Sequence, residues 1–378
     1  MRSLVVEGWR GISQSYAMVN QYQLLELMTH DVALFHVDRP YYHSTWSTEK
    51  TPDGFDPVRR ARLAALPPPP PDLKPDVIFR ADFPLRFAGY ASKRLFVFGT
   101  SEQRNLENKV ATGQLPGALS NPDVTVVTPS NWSKEGFVAA GFDPARVLIV
   151  PHGVDPAIFG PPDPGLRMQM RRAMGLGEHE FVLLSVGAMT DNKGIDLLIL
   201  AYAFLRQRYP HLRLVLKDAS GLYGKSGKDV LDLLAQHRPD LITEALRASI
   251  ILLSINLNLS QLCLLYGSCD AYVSPYRAEG FNVPPLEAAA CGLPIVVTQG
   301  GPTDDYVHES FALTVASHQF TTDIVSTLEP DIGDLMDKIA MLVEGRAPHI
   351  DKAFAIRHVT TAFSWAAAVR KLMAAMFP

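Results

Sequence analysis

The chain has 378 residues, 47% apolar and 20% charged, a globular composition long enough for two domains with separate cores. Its 35 basic and 39 acidic residues leave a net charge of -4, which excludes a global attraction for nucleic acid. Cys263, Cys269 and Cys291 form no CxxC pair, so neither a disulfide framework nor a zinc site is indicated, and a reducing, cytoplasmic setting is expected.

The N-terminus, Met1-Arg2-Ser3-Leu4-Val5-Val6-Glu7-Gly8, lacks the long apolar core of a signal peptide and reads as a first strand. Gly8-Trp9-Arg10-Gly11-Ile12-Ser13 then leads into a helix near residues 17–29, so Gly11 is expected to bring backbone N–H groups to a ligand. The turn does not match GxGxxG, which argues against a dehydrogenase. A strand at 32–37 continues a parallel α/β beginning. Residues 51–74 read as an inserted loop, stiffened by the five prolines Pro67 to Pro71. Its cluster Arg59, Arg60 and Arg62 is either a solvated face or a peripheral contact with anionic lipid at the inner face of a membrane.

Strands follow at 76–79, 94–98 and 124–127, then a helix capped by Ser130 and stopped near Gly141. A strand from Arg146 ends in Pro151-His152-Gly153-Val154-Asp155, and residues 161–165 read as a linker. The α/β rhythm then restarts, with strands at 181–186, 213–216, 250–253, 271–274 and 295–298. Residues 248–266 are nearly long enough to cross a bilayer, but Asn256, Asn258, Ser260 and Gln261 interrupt them, so strand, polar loop and helix fit better. The last segment, from Phe363 to Leu372, shows helical spacing behind a Ser364 cap.

The richest stretch runs from Tyr276 to Gly292. It sets Glu279 and Glu287 eight positions apart across a strand-to-helix turn, with Gly280 between them and Pro284-Pro285 in the helix's first turn. A parallel strand delivers its last residues to the sheet's carboxyl end, where open α/β sheets bind ligands. The amides around Phe281, Asn282 and Val283 suit a phosphate, while the two carboxylates suit hydroxyls. Phosphate plus hydroxyls describes a nucleotide sugar.

This Glu, seven residues, Glu segment, with its Gly280-Phe281 and Pro284-Pro285-Leu286-Glu287-Ala288 core, resembles the retaining GT-B glycosyltransferases of family four. The resemblance implies two Rossmann-like domains facing each other across a cleft: an acceptor domain at 1–160, joined by a returning C-terminal helix at about 361–378, and a donor domain at 166–360. It also implies that Glu279 holds the donor sugar and Glu287 the nucleotide ribose. Gly187-Ala188-Met189-Thr190-Asp191-Asn192-Lys193-Gly194 is similar to the family's diphosphate loop, with Lys193 at the lysine and Ala188 where an arginine is expected. Lys217, at a neighbouring strand end, is the candidate replacement cation, and the base is expected near Ser254 to Asn258, Asn256 included. On the first domain, Arg10, Arg80, Asp82 and the Thr100-Ser101-Glu102 turn are expected to face the acceptor, with Gly11 close to the same cleft.

The implied reaction moves a hexose, from a UDP-sugar by preference, to a hydroxyl of a saccharide or lipid-linked acceptor in polysaccharide or glycoconjugate synthesis. It needs neither metal nor cofactor, since Lys193 and fixed dipoles meet the charge of the departing diphosphate. The alternative is a non-catalytic sugar-nucleotide-binding regulator that keeps the fold, which Ala188 favours because alanine cannot grip a diphosphate.

Overall fold

The computed structural model describes residues 2–322 and 324–378. The chain divides into two compact units: one takes in residues up to Gly153 and the C-terminal Phe363–Pro378, the other Val154–Thr322 and Ser326–Ala362.

The first unit holds six parallel strands, β1 (Ser3–Gly8), β2 (Ala33–Asp38), β3 (Val77–Ala81), β4 (Arg94–Phe98), β5 (Val124–Thr128) and β6 (Val147–Ile149), in the order β2-β1-β3-β4-β5-β6. β3 is buried throughout and apolar except for Arg80, and β4 is buried and apolar beyond Arg94, as parallel strands covered on both faces require. The C-terminal helix Trp365–Met376 belongs to this unit: Trp365 stacks on Tyr22 of the first helix, with ring centroids 4.9 Å apart and planes 8° from parallel. Gly153 admits this packing, because a Cβ there would lie 2.3 Å from the backbone nitrogen of Trp365.

Residues 51–74 differ from the expected loop. They contain a helix, Pro57–Ala64, because the Asp56 side chain accepts from the N–H groups of Val58 and Arg59 and Pro57 starts the first turn. The three arginines of this stretch have partners within the unit: Arg59 pairs with Asp56, Arg60 with Asp53, and Arg62 donates to the Leu25 carbonyl. Among the described residues no helix is long and apolar enough to cross a membrane. In the 248–266 stretch a strand and the helix Leu259–Ser268 flank a short polar loop.

The second unit also has six parallel strands, β7 (Phe181–Gly187), β8 (Leu212–Asp218), β9 (Ile250–Leu253), β10 (Ala271–Ser274), β11 (Ile295–Thr298) and β12 (Ala312–Val315). A hairpin of β13 (Ser317–Thr321) and β14 (Ser326–Pro330) follows. The sheet order is β12-β11-β10-β7-β8-β9. The chain therefore runs outward from β7 to β9 on one side, then returns to build β10 to β12 on the other. The switch point thus falls between β7 and β10, and the carboxyl ends of strands at such a point are where open α/β sheets bind ligands. A core including Leu183, Leu198, Tyr202, Leu214, Val273 and Val296 lies beneath it.

Candidate donor-binding site

β7 ends at Gly187, with φ at 145°, and the following loop closes in a single 3-10 turn, Asp191–Lys193. Gly194 then takes φ of 65°. That left-handed conformation lets the loop lie directly on the residues after β10: a Cβ on Gly194 would come within 1.9 Å of the Pro275 carbonyl oxygen. Asn192 completes the docking. Its carbonyl accepts from Arg277 N at 2.7 Å and Ala278 N at 3.2 Å, and its side-chain amide donates to Ala278 O at 3.1 Å. Lys193 is thereby brought onto Glu279, and their side chains form an ion pair in which Glu279 is buried. Gly194→Ala should destabilise the unit by about 2–4 kcal/mol through backbone strain and a forced separation of the loops, read as a lowered urea midpoint with unchanged slope.

Arg277, which sequence reasoning passed over, holds the second loop from outside. It grips Asp196 with two bonds of 2.8 Å, pairs with Glu329 at 2.7 Å and donates to Asp191 O at 2.9 Å. Its three protein partners make it a brace. The signal for it was faint, since an arginine two residues before a glutamate has no distinctive pattern.

Asn282 turns the chain into the helix Val283–Ala290 with φ of 68°. An asparagine in this left-handed region costs little when its polar groups are used. Its amide donates to Ser274 Oγ at 3.0 Å, and its carbonyl accepts from Tyr306 OH at 2.6 Å. Phe281 is buried against the Tyr306 ring, 5.0 Å between centroids. Gly280 lies between Glu279 and this turn, and Val283 is the first helical residue. The Asn282 side chain does not cap this helix, and the positive end of its dipole faces the loop that carries Glu279.

Glu287 sits one turn into the helix. Tyr266 OH donates to its Oε2 at 2.9 Å, a contact not foreseen from the sequence. Burial pushes the Glu287 carboxyl up to about 7, against the lowering effect of that hydrogen bond. Lys217 lies at the end of β8, in register with Val186 and one position from Gly187. Its ammonium donates to the Asp218 carbonyl at 2.5 Å, and burial holds its pKa below the usual lysine value. Asp218 itself was unforeseen as a structural hub: its carboxylate accepts from Ser220, from Ser254 Oγ at 2.6 Å and from Gly227 N at 3.3 Å, tying the end of β8 to the loop after β9. Asn256 lies exposed in that loop.

The first unit treats its candidates differently. The Gly11 N–H, expected to reach a ligand, is taken by Gln21 Oε1 at 2.8 Å. Arg10 is spent on Asp38, at 2.8 Å from Nε, and on the Leu63 carbonyl. Arg80 is buried and holds Glu7 at 2.9 Å together with the carbonyls of Arg86, Ala88 and Gly89, so it braces the turn after β3 and does not face outward. Asp82 is buried, 3.1 Å from Arg86 and 3.6 Å from Arg39, and burial pushes its carboxyl up. His152 packs between the rings of Phe98 and Trp365, and burial lowers its imidazole to about 3, in keeping with a turn-supporting role.

The arrangement in the second unit pairs a lysine with a buried glutamate beside a helix start, with a second glutamate, its carboxyl pushed up to about 7, one turn along. Residues 167–329 match the family model described as Glycosyl transferases group 1. The match covers both loops and both glutamates. A D-inositol 3-phosphate glycosyltransferase of Actinosynnema mirum is 32% identical over 245 residues, covering 64% of this chain and 53% of that protein. A GDP-mannose-dependent alpha-(1-6)-phosphatidylinositol monomannoside mannosyltransferase of Mycolicibacterium smegmatis is 28% identical over 232 residues, 59% of this chain and 57% of that one. The matched stretch spans about half the length of these curated relatives. Among solved structures, Anabaena HepE in complex with UDP and glucose superposes with a TM-score of 0.66 at 14% identity, covering 100% of this chain and 99% of that one. Sucrose-phosphate synthase from Thermosynechococcus elongatus does so at 0.68 and 17%, covering 99% and 100%. At such identities the likeness is one of fold, and the fold is GT-B.

Proposed function

We propose that this protein is a retaining, metal-independent glycosyltransferase that moves a hexose from a nucleoside diphosphate to a hydroxyl of a saccharide or lipid-linked acceptor. The observation that carries the reading is the Lys193–Glu279 pair, set at the sheet's switch point beside the start of the Glu287 helix.

In this reading the diphosphate draws Lys193 toward its own charge and leaves Glu279 to accept hydrogen bonds from the sugar hydroxyls. Glu287 accepts from the ribose hydroxyls. Charge developing on the departing diphosphate is met by Lys193, by the amides of Phe281, Asn282 and Val283, and by Lys217 in place of the arginine that Ala188 does not supply. The leaving phosphate takes the acceptor proton, so no strong base of the protein is required, and Glu279 orients the sugar without bonding to its anomeric carbon. The acceptor is proposed to approach the carboxyl ends of β1 and β3, where Glu7, Asp82, Arg39 and Arg86 gather.

Uridine is the proposed base, in line with the UDP complex of the fold neighbour; the GDP-mannose named for one relative makes guanosine the second reading. Thermal stabilisation across a panel of UDP- and GDP-sugars separates them, and NMR of the product made from the stabilising donor reads the anomer. A retained configuration, with equal rates before and after chelation, is expected; an inverted product or a metal-dependent rate would sink the mechanism. Ala188 favours the other reading, a sugar-nucleotide-binding regulator. Donor binding without any donor hydrolysis or transfer would decide for it.

A further inference from the structure

Cys263 and Cys291 place their sulfur atoms 3.8 Å apart, and Cys263 Sγ also donates to the Gly160 carbonyl at 3.4 Å. Cys263 lies in the helix Leu259–Ser268, and Cys291 closes the helix Val283–Ala290. Three residues beyond Cys263, Tyr266 holds Glu287, which stands four residues before Cys291. As one partner's number rises the other's falls, so the helices run antiparallel. The thiol pair and the Tyr266–Glu287 bond are neighbouring rungs between the same two helices, one turn apart.

We propose that Cys263 and Cys291 form a reversible disulfide when a peroxide reaches them, and that closing this rung displaces Glu287 on the next. The second half of the proposal rests on the reading of Glu287 as a nucleotide ligand. Disulfide sulfurs lie about 2.05 Å apart, so the pair must approach by roughly 1.8 Å, within reach of a small helix shift. In the first step the Cys263 thiolate attacks a peroxide oxygen, the O–O bond breaks, and the departing hydroxide takes up a proton to leave as water. Cys291 sulfur then attacks the sulfenic sulfur, the S–O bond breaks, and the oxygen leaves as a second water with the Cys291 proton. Two thiols are oxidised and one peroxide is reduced to two waters.

Either thiol of the pair can donate to the other, and the order of attack follows from the direction in which their acidities are split together with their exposure. The Cys291 thiol holds Cys263 below the usual cysteine value, and Cys291 is pushed up in return. Cys263 is also the more exposed, at 9% against 4%. Cys269 is buried with its thiol pushed up by burial, and serves as an internal control.

The unmodified full chain carries the test, so no variant has to fold. After treatment with hydrogen peroxide, alkylation under denaturing conditions and peptide mass analysis should show a Cys263–Cys291 cross-link with Cys269 alkylated, reversed by dithiothreitol. Sulfinic acids, or three alkylated cysteines, would overturn the disulfide. Calorimetry with UDP should show affinity at least about threefold weaker in the oxidised chain and restored on reduction; a cross-linked chain with unchanged affinity would overturn the coupling to Glu287. Failure of the reduced chain to bind UDP or GDP would instead count against the donor-site reading, with the disulfide decided by the mass analysis alone.

Discussion

Lys193→Ala should lower kcat for transfer, or for slow donor hydrolysis, by about 10²–10³-fold, the usual cost of one preorganised group aimed at developing charge. It should also lower stability, because Glu279 is only 5% exposed and loses the cation it pairs with. Breaking a buried pair from one side costs about 3–5 kcal/mol; Lys193 is itself 24% exposed, so the lower end of that range is expected. Glu279→Gln should reduce kcat with less effect on nucleotide affinity. The double variant Lys193→Ala with Glu279→Gln separates the two effects, since it also removes the carboxylate charge that has lost Lys193, without restoring the chemistry. Urea unfolding should find the double variant more stable than the sum of the single losses, while turnover stays at the level of the worse single. Additive losses of stability would show that the pair is not coupled, and near-normal turnover in Lys193→Ala would remove the lysine from the mechanism.

Nucleotide affinity should rise about tenfold between pH 6 and pH 8. Ribose hydroxyls donate hydrogen bonds, so they favour the ionised form of Glu287, whose carboxyl is pushed up to about 7 by burial. About one molecule in eleven is ionised at pH 6 and about ten in eleven at pH 8, which sets the size of the change. Glu287→Gln should bind nucleotide more weakly at high pH and flatten the profile. Tyr266→Phe should move its midpoint upward, because the lost donor served the ionised form. The same titration enters stability with the opposite sense. Between the ordinary value of 4.5 and about 7 the folded chain holds a proton that the unfolded chain has released, so this group's contribution is intact below 4.5 and is lost as pH rises through 7. Glu287→Gln should therefore gain on the parent chain in unfolding free energy above pH 7. A flat affinity profile in the parent, by calorimetry at matched ionic strength, would mean that Glu287 does not meet the ribose.

The donor-side loops were legible because they are built from short-range signals. Pro284 and Pro285 suit only a helix's first turn, and Gly292 suits only its end. Lys193-Gly194 read as a loop for a similar reason, although what Gly194 permits, contact with the Pro275 backbone, lies 81 residues away. The first unit was less legible. Gly11 and Arg10 looked available, yet Gln21 and Asp38 had claims on them that no spacing announces. The helix at Pro57–Ala64 was readable from Asp56 and Pro57, but the prolines after it drew attention to a loop.

By itself the sequence determined the alternation of strands and helices, the apolar strands of both sheets and the Glu-x7-Glu turn. Each of these depends on residues within one or two turns of one another. Only the tertiary structure decided that β10 returns to lie beside β7, and with it that Lys193 meets Glu279 across 86 positions of sequence. It alone joined Tyr266 to Glu287 and Cys263 to Cys291. The physical reason is that hydrophobic periodicity specifies which face of an element is buried, while the partner on that face is chosen by packing among elements far apart in the chain.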